Sequence, residues 1–431
     1  MNLDRIGTVL GWALMLGFAA LTLLEVPRFF RSALAPQPLP LPGDGQPSAI
    51  SSRRMWGEVV LAFLLSRLLV VLVCLVGRWL DVGQVRGFFG EFRDNLFPWD
   101  ARHYIHIMEN GYVGSGDEQL FIVFFPLYPL LCRCITVLTM LPAEGVALAV
   151  SNLSLIAGGG VLYRLAALDG GEVRGRRAML LLMFCPMTYF YSIAYSESVF
   201  LLVTLLAVYA ARQRRFPAAL VFGALASGGR ILGLTVAIPI YWEWMRADRE
   251  RRFGQTLPSR RERVRCALLC GLKTLPVSLG FLMYLWYNWR LFGNPTQFMI
   301  FQREHWYQRL GTLANTFQYS LHNALDYDDF LYQLGVWRPQ VALMLAIPLL
   351  ILWRRRRTRP GDTAYALVYH WVAFAPTWLL SGPRYASCNY ALYLMLAGIG
   401  RRKRGFILLM ALWCAMLGFM TWVGLWQGKV Y

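Results

Sequence analysis

The chain has 431 residues, of which 57% are hydrophobic and only 16% charged, against roughly 45–50% and 25% in an ordinary globular protein. Apolar runs near 20 residues recur from end to end, long enough to cross a bilayer as helices. The net charge is +19, from 43 Lys+Arg against 24 Asp+Glu, yet the basic residues fall in short clusters between the apolar runs, the pattern of loops retained on the cytoplasmic side. A soluble enzyme, a secreted disulfide scaffold and a nucleic-acid-binding domain are thereby excluded, and the expected fold class is an all-α polytopic membrane protein.

In chain order, the apolar segments are 6–26, 56–80, 119–141, 145–168, 178–194, 196–211, 217–245, 266–290, 338–353, 363–380, 386–400 and 405–426. They predict about 11–13 transmembrane helices. The first is too long, and too far from a basic start, for a signal peptide. A Pro-rich linker from Ala35 to Pro47 follows it, so residues 1–55 read as an N-terminal span plus linker and 56–431 as the main transmembrane domain.

Basic clusters mark the sidedness: Arg28/Arg31/Arg53/Arg54, Arg174/Arg176/Arg177, Arg212/Arg214/Arg215, the stretch 246–265, Arg354 to Arg357, and Arg401 to Arg404. If all lie in the cytoplasm, an even number of crossings separates each neighbouring pair. Segment 217–245 then has to turn back within its own length, as two half-helices meeting at Gly228-Gly229-Arg230. The run 119–168 needs one irregular piece, and Pro126 and Pro129 assign it to 119–130. Loop 81–118, with seven acids against three arginines, and loop 291–336, with four acids against two arginines, fall on the opposite face. The turn at Glu197, the break at Arg230 and the turn Ser381-Gly382-Pro383-Arg384-Tyr385 join them there. Lysine occurs only at Lys273, Lys403 and Lys429, an arginine bias that points to GC-rich bacterial coding. The eight cysteines show no C-x-x-C pair and read as small buried hydrophobes.

The first outer loop carries Trp99-Asp100-Ala101-Arg102-His103-Tyr104, then Asn110-Gly111-Tyr112 and Phe124-Phe125-Pro126-Leu127-Tyr128-Pro129. Asp100 reads either as a helix N-cap or as a carboxylate able to take a proton from a hydroxyl. His103 stands one helical turn away on the same face. Glu197, between two apolar spans, is either a solvated turn residue or an intramembrane acid with a function. Arg230 and Arg384 are the isolated cations of this face; they suit a phosphate by bidentate contact, or else snorkel to headgroups. Phe298, Gln302 and Trp306 share one face of a surface helix, for interfacial packing or for stacking on a sugar. A divalent metal on Asp100, His103 and His106 is possible but not required.

These pieces resemble the Pig-V family, the GPI mannosyltransferase II enzymes and their bacterial relatives. The resemblance rests on Trp99-Asp100 with His103-Tyr104, Asn110-Gly111-Tyr112 and the Phe-Phe-Pro-Leu-Tyr-Pro run. It extends to Ala194-Tyr195-Ser196-Glu197-Ser198-Val199-Phe200, to Gly229-Arg230-Ile231-Leu232-Gly233, where Gly229 replaces the usual Ser/Thr, and to Pro383-Arg384-Tyr385. It implies a GT-C type glycosyltransferase, multi-pass in the inner (plasma) membrane, whose site faces the periplasm or exterior, or the ER lumen in a eukaryote. The implied donor is a polyprenyl-phosphate sugar, and the implied general base is Asp100. The acceptor is a lipid, glycan or protein hydroxyl, with membrane lipids as surroundings and no nucleic-acid partner.

On that basis the expected catalytic residues are Asp100, His103 and Glu197. Those expected to bind substrate are Trp99, Arg102, Tyr104, Arg230, Gln302, Trp306, Arg384 and Tyr385. The alternative is a transporter or flippase of lipid-linked or anionic sugars, built on the same broken helix. It calls for polar groups near mid-span and two related halves, and no internal repeat is visible.

Overall fold

The computed structural model describes residues 3–35, 51–399 and 403–428, and is helical throughout with no strand among them. The Pro-rich linker, beyond Ala35, and Arg401 and Arg402 of the last basic cluster lie outside the described residues.

Helix α1 (Leu3–Leu34) and α2 (Ser52–Val82) are long apolar helices. α2 stops where Gly83 adopts a left-handed φ of 68° and its N–H returns to Trp79 O, a geometry that favours glycine. Two short helices, α3 (Phe88–Asp94) and α4 (Asp100–Asn110), lie within loop 81–118. A 3₁₀ turn at Asp117–Val123 then meets α5 (Leu127–Thr139) at 114°. This is the irregular piece expected at 119–130, and Pro126 sits at the bend.

Next comes α6 (Ala143–Met183), which is not one rod. Gly170 and Gly171 leave helical φ/ψ, and the two limbs fold back on each other: a Cβ on Gly175 would meet Tyr163, and one on Gly159 would meet Met183. The arginines at 174, 176 and 177 follow that turn. After α7 (Glu197–Arg212), α8 (Phe216–Gly229) ends at Arg230, whose backbone is extended, and a 3₁₀ turn leads into α9 (Ala237–Phe253). Segment 217–245 is thus two half-helices meeting at Gly228-Gly229-Arg230.

The chain continues through α10 (Arg260–Thr274), begun by a Ser259/Glu262 capping box, and α11 (Leu279–Phe292). Helices α12 (Gln297–His305) and α13 (Leu313–Asp326) lie within loop 291–336. A short α14 (Phe330–Tyr332) leads through a π-helical turn into α15 (Arg338–Arg354). The chain closes with α16 (Pro360–Phe374), α17 (Gly382–Ser387), α18 (Tyr390–Ala397) and α19 (Lys403–Thr421).

Among the described residues six helices are long and apolar enough to cross a membrane, or seven if the bent pair at 117–139 is one span. The expected 11–13 also takes in apolar helices shorter than these, and the two groups form layers. The long helices form a shell whose outward rows, such as Leu61, Leu64, Leu65, Leu68 and Leu72 of α2, are exposed, as lipid-facing surface must be. Inside it lie α7, α16, α17 and α18, at most 16 residues each and largely buried. Those inner helices are largely apolar, so in sequence they read as spans.

The shell is fastened at its ends by polar contacts. Arg28 donates to Thr358 O (2.9 Å), Arg355 pairs with Glu25 (2.8 Å), Arg174 donates to Leu394 O (3.0 Å) and Arg54 pairs with Glu172 (3.5 Å). With Arg212 on Asp169 at 2.8 Å, four of the basic clusters are thereby gathered at one end of the bundle. Helix α7 runs from that end, at Arg212, to Glu197, about 24 Å away at ~1.5 Å per residue. At the Glu197 end α13 packs along the N-terminal half of α1, where a Cβ on Gly11 would meet the Ala314 backbone at 2.6 Å.

Candidate active site

The site is built where four elements end together: the start of α4, the start of α7, the α8/α9 break and α17. Trp99, at the N-cap position of α4, holds φ 43° and ψ −114°, an unfavourable backbone for a non-glycine residue that persists only when its surroundings enforce it. No side chain caps this helix. Asp100 is therefore its first residue rather than its cap, and its carboxylate is free to point elsewhere.

It points to Arg384, whose Nη1 and Nη2 lie 3.4 and 3.5 Å from Asp100 Oδ2. Arg384 Nε is 3.2 Å from Glu197 Oε1, though out of hydrogen-bond alignment with it. Arg230 donates to the same Glu197 oxygen and to Ser196 Oγ at 2.9 Å. Two acids and two arginines thus alternate in one chain of contacts, Asp100–Arg384–Glu197–Arg230. Side-chain exposure along it is 28%, 6%, 0% and 12%, so the cluster opens at Asp100 and is closed behind it. Neither arginine snorkels, and Glu197 is no solvated turn residue. At the first residue of α7 its charge also sits at the favourable end of the helix dipole.

Aromatic rings frame the cations. The Arg384 guanidinium lies 5.2 Å from the Phe190 ring centroid, 5.1 Å from Tyr195 and 5.3 Å from Tyr385, and Arg230 lies 5.4 Å from Tyr385, all within cation–π range. Trp99 packs on Phe190 with centroids 6.4 Å apart. Tyr104 hydroxyl and Ser196 Oγ are hydrogen-bonded at 3.0 Å, tying α4 to the start of α7.

The Phe-Phe-Pro-Leu-Tyr-Pro run supplies the outer wall. Phe124 touches His103, Tyr104 and Trp306, with centroid distances of 5.3, 5.1 and 6.2 Å, and Tyr112 hydroxyl anchors it by donating to Phe124 O at 2.7 Å. Burial against Phe121 and Phe124 holds the His103 imidazole below its ordinary pKa, with Asp100 pulling the other way.

Of the residues singled out from sequence, the structure brings together Trp99, Asp100, Tyr104, Glu197, Arg230, Arg384 and Tyr385. His103 and Trp306 border them across Phe124. Arg102 is exposed and Gln302 half-buried, and neither makes a hydrogen bond or ion pair with the four charged groups. Among the described residues only Asp248, Cys266 and Cys270 bring three possible metal-ligand atoms within 4.8 Å of one another. Asp100, His103 and His106 therefore form no such set.

Sequence reasoning missed three residues of the site. Ser196 is the hydrogen-bond link between Tyr104 and Arg230, and Phe190 and Tyr195 are the shelf under Arg384. The signal for the shelf was present in Tyr189-Phe190-Tyr191, an aromatic density unusual beside an acid.

The described site can hold an anion between Arg384 and Arg230, and present a carboxylate to a neighbouring hydroxyl. A family model for mannosyltransferase (PIG-V) matches residues 81–298, just over half of the chain, a stretch containing Asp100, Glu197 and Arg230. No curated protein matches the chain.

Proposed function

The chain belongs to the mannosyltransferase (PIG-V) family and is a multi-pass membrane glycosyltransferase, and from that premise we propose that it transfers a mannose-like sugar from a polyprenyl-phosphate donor to a hydroxyl acceptor, with Asp100 as general base. The acceptor oxygen forms its bond to the anomeric carbon as the bond from that carbon to the phosphate oxygen breaks. The acceptor proton passes to Asp100, and polyprenyl phosphate leaves. A single in-line displacement inverts the anomeric centre.

One observation carries this reading: the partly exposed Asp100 carboxylate lies within 3.5 Å of a buried arginine that shares an acid with a second arginine. Arg384, seconded by Arg230, is suited to the leaving phosphate, a pre-organised electrostatic role typically worth several kcal/mol. Its contacts to Asp100 are long, so an arriving phosphate oxygen displaces little. Glu197 fixes the two guanidinium groups in register, and its second oxygen, buried and without a partner, accepts a sugar or acceptor hydroxyl. Trp99, Tyr104, Tyr385 and Trp306 border the sugar, and His103 assists at the phosphate. No step is routed through a metal ion.

The site faces the periplasm or exterior in this proposal, because the arginine clusters gather at the other end and mark the cytoplasmic side. The test is mannosyl transfer from a polyprenyl-phosphate mannose in detergent by Asp100→Asn. A fall of about 10²–10⁴ is expected from loss of a positioned base; activity near that of the parent overturns the proposal.

A further inference from the structure

A second cluster of reactive side chains lies at the arginine-rich end, one half-helix away from the transfer site. Cys266 and Cys270 stand on successive turns of α10, four residues apart, and so share one face of it. Asp248 meets them from α9. All three are buried, the three ligand atoms lie within 4.8 Å of one another, and Cys266 Sγ is 3.6 Å from Asp248 Oδ2.

Three cations surround the carboxylate: Arg252 at 2.7 Å, Arg251 at 3.1 Å and Lys273 at 3.8 Å. The Cys266 thiol faces this carboxylate and Cys270 stands beside it, and packing alone needs neither thiol, since a small hydrophobe fills such a position as well.

We propose that Asp248, Cys266 and Cys270 form a zinc site that clamps α9 to α10. Two thiolates and one carboxylate are a donor set that zinc accepts, with ligand bonds of about 2.0–2.3 Å, and a solvent molecule takes the fourth tetrahedral position. On binding, Zn²⁺ replaces the two thiol protons, which are released to solvent. The charge of the cluster therefore stays at −1, so binding zinc adds no net charge beside the three cations. Arg252, on the Asp248 carboxylate, becomes the outer partner that orients a ligand. The site does not depend on the sugar-transfer reading, because its residues lie at the opposite end of α9 from Arg230.

The experiment uses the full chain in detergent, stripped with a chelator, reloaded with zinc chloride, desalted and measured by elemental mass spectrometry. The parent is expected to retain about one zinc per chain, and Cys266→Ser/Cys270→Ser to retain none. Arg252→Gln is expected to weaken zinc affinity about 10–100-fold. In the unmutated protein, zinc should shield Cys266 and Cys270 from maleimide, a readout that does not depend on the variants folding. Equal zinc in parent and double variant overturns the proposal. So does equal labelling with and without zinc, or recovery of the pair as a disulfide that takes up no zinc.

Discussion

Two buried clusters of acids and arginines sit at opposite ends of α7, and they are finished to different degrees. At the Arg212 end, Asp169 receives Arg359 at 2.6 Å and Arg212 at 2.8 Å, while Asp362 receives Arg212 and, at 2.7 Å, the Tyr390 hydroxyl. Every carboxylate oxygen of that inner cluster is matched, and the side chains of both aspartates and of Arg212 are at most 5% exposed. At the Glu197 end one glutamate oxygen has no partner, Arg384 Nε has no aligned acceptor, and Asp100 is open to solvent at 28%. Burying charge is costly unless its hydrogen bonds are completed. The inner cluster completes them within the protein and so acts as a fastener of α6, α7, α16 and α18. The outer one is left incomplete, and an incomplete buried set of this kind is what a ligand finishes.

The contrast is broken most directly by exchanging a loss of function for a loss of stability. Asp100→Asn is expected to lower transfer by about 10²–10⁴ with the melting temperature nearly unchanged, because that carboxylate is half open and weakly paired. Arg212→Met should do the reverse: it removes the guanidinium shared by two buried carboxylates and leaves Asp362 with the Tyr390 hydroxyl alone, at a cost of about 3–5 kcal/mol. The readouts are a transfer assay and a thermal melt on both variants. If Asp100→Asn melted as low as Arg212→Met, the outer cluster would be a fastener too.

Next in size is Arg384→Lys. An ammonium keeps the charge but cannot reach Asp100, Glu197 and a phosphate with a planar fork. A loss of about 10²–10³ in kcat is expected, comparable to removing one pre-organised donor, and kinetics on saturating donor would show it. Ser196→Ala is smaller. It removes the oxygen shared by Tyr104 and Arg230, worth about 1–3 kcal/mol when a buried partner is left unpaired, and it should lower both melting temperature and transfer modestly.

Much of the frame was legible in the sequence because backbone breaks announce themselves. Gly228-Gly229-Arg230 could not continue a lipid-exposed helix, Pro126 could not sit inside one, and the arginines after Gly171 required a turn. The outer site was legible for a related reason: acids and lone arginines between apolar runs stand out against their surroundings. The inner cluster did not stand out. Asp169, Asp362 and Arg359 lie next to arginine-rich stretches and look like ordinary solvated charges, and only the packing of α6 against α7 and α16 buries the two aspartates. Helices such as α7 and α16 read as spans by hydropathy yet are shorter than a lone lipid-crossing helix, because hydropathy does not distinguish a helix buried in protein from one buried in lipid. Arg102 and Gln302 stand apart from the four charged groups, because helical spacing gives the face a side chain shares, not what that face meets.

The smallest expected effect is a pH dependence that separates the rim of the site from its centre. His103 lies outside the charged chain of contacts, packed on Phe121 and Phe124, and burial holds its pKa below the ordinary 6.5. Its neutral form is the one the fold prefers, so its contribution to stability is fully present above pH 6.5. Between that value and its lowered folded pKa the unfolded chain binds the extra proton, and stability declines as pH falls. His103→Phe keeps the aromatic packing and removes the titration. Melts of parent and variant from pH 7.5 down to about 5 should therefore diverge only below 6.5, with the parent losing more. A variant that lost as much as the parent would place the acid sensitivity elsewhere. A parent that gained stability on acidification would mean that Asp100, rather than the phenylalanines, governs this imidazole, and would draw His103 into the charged cluster itself.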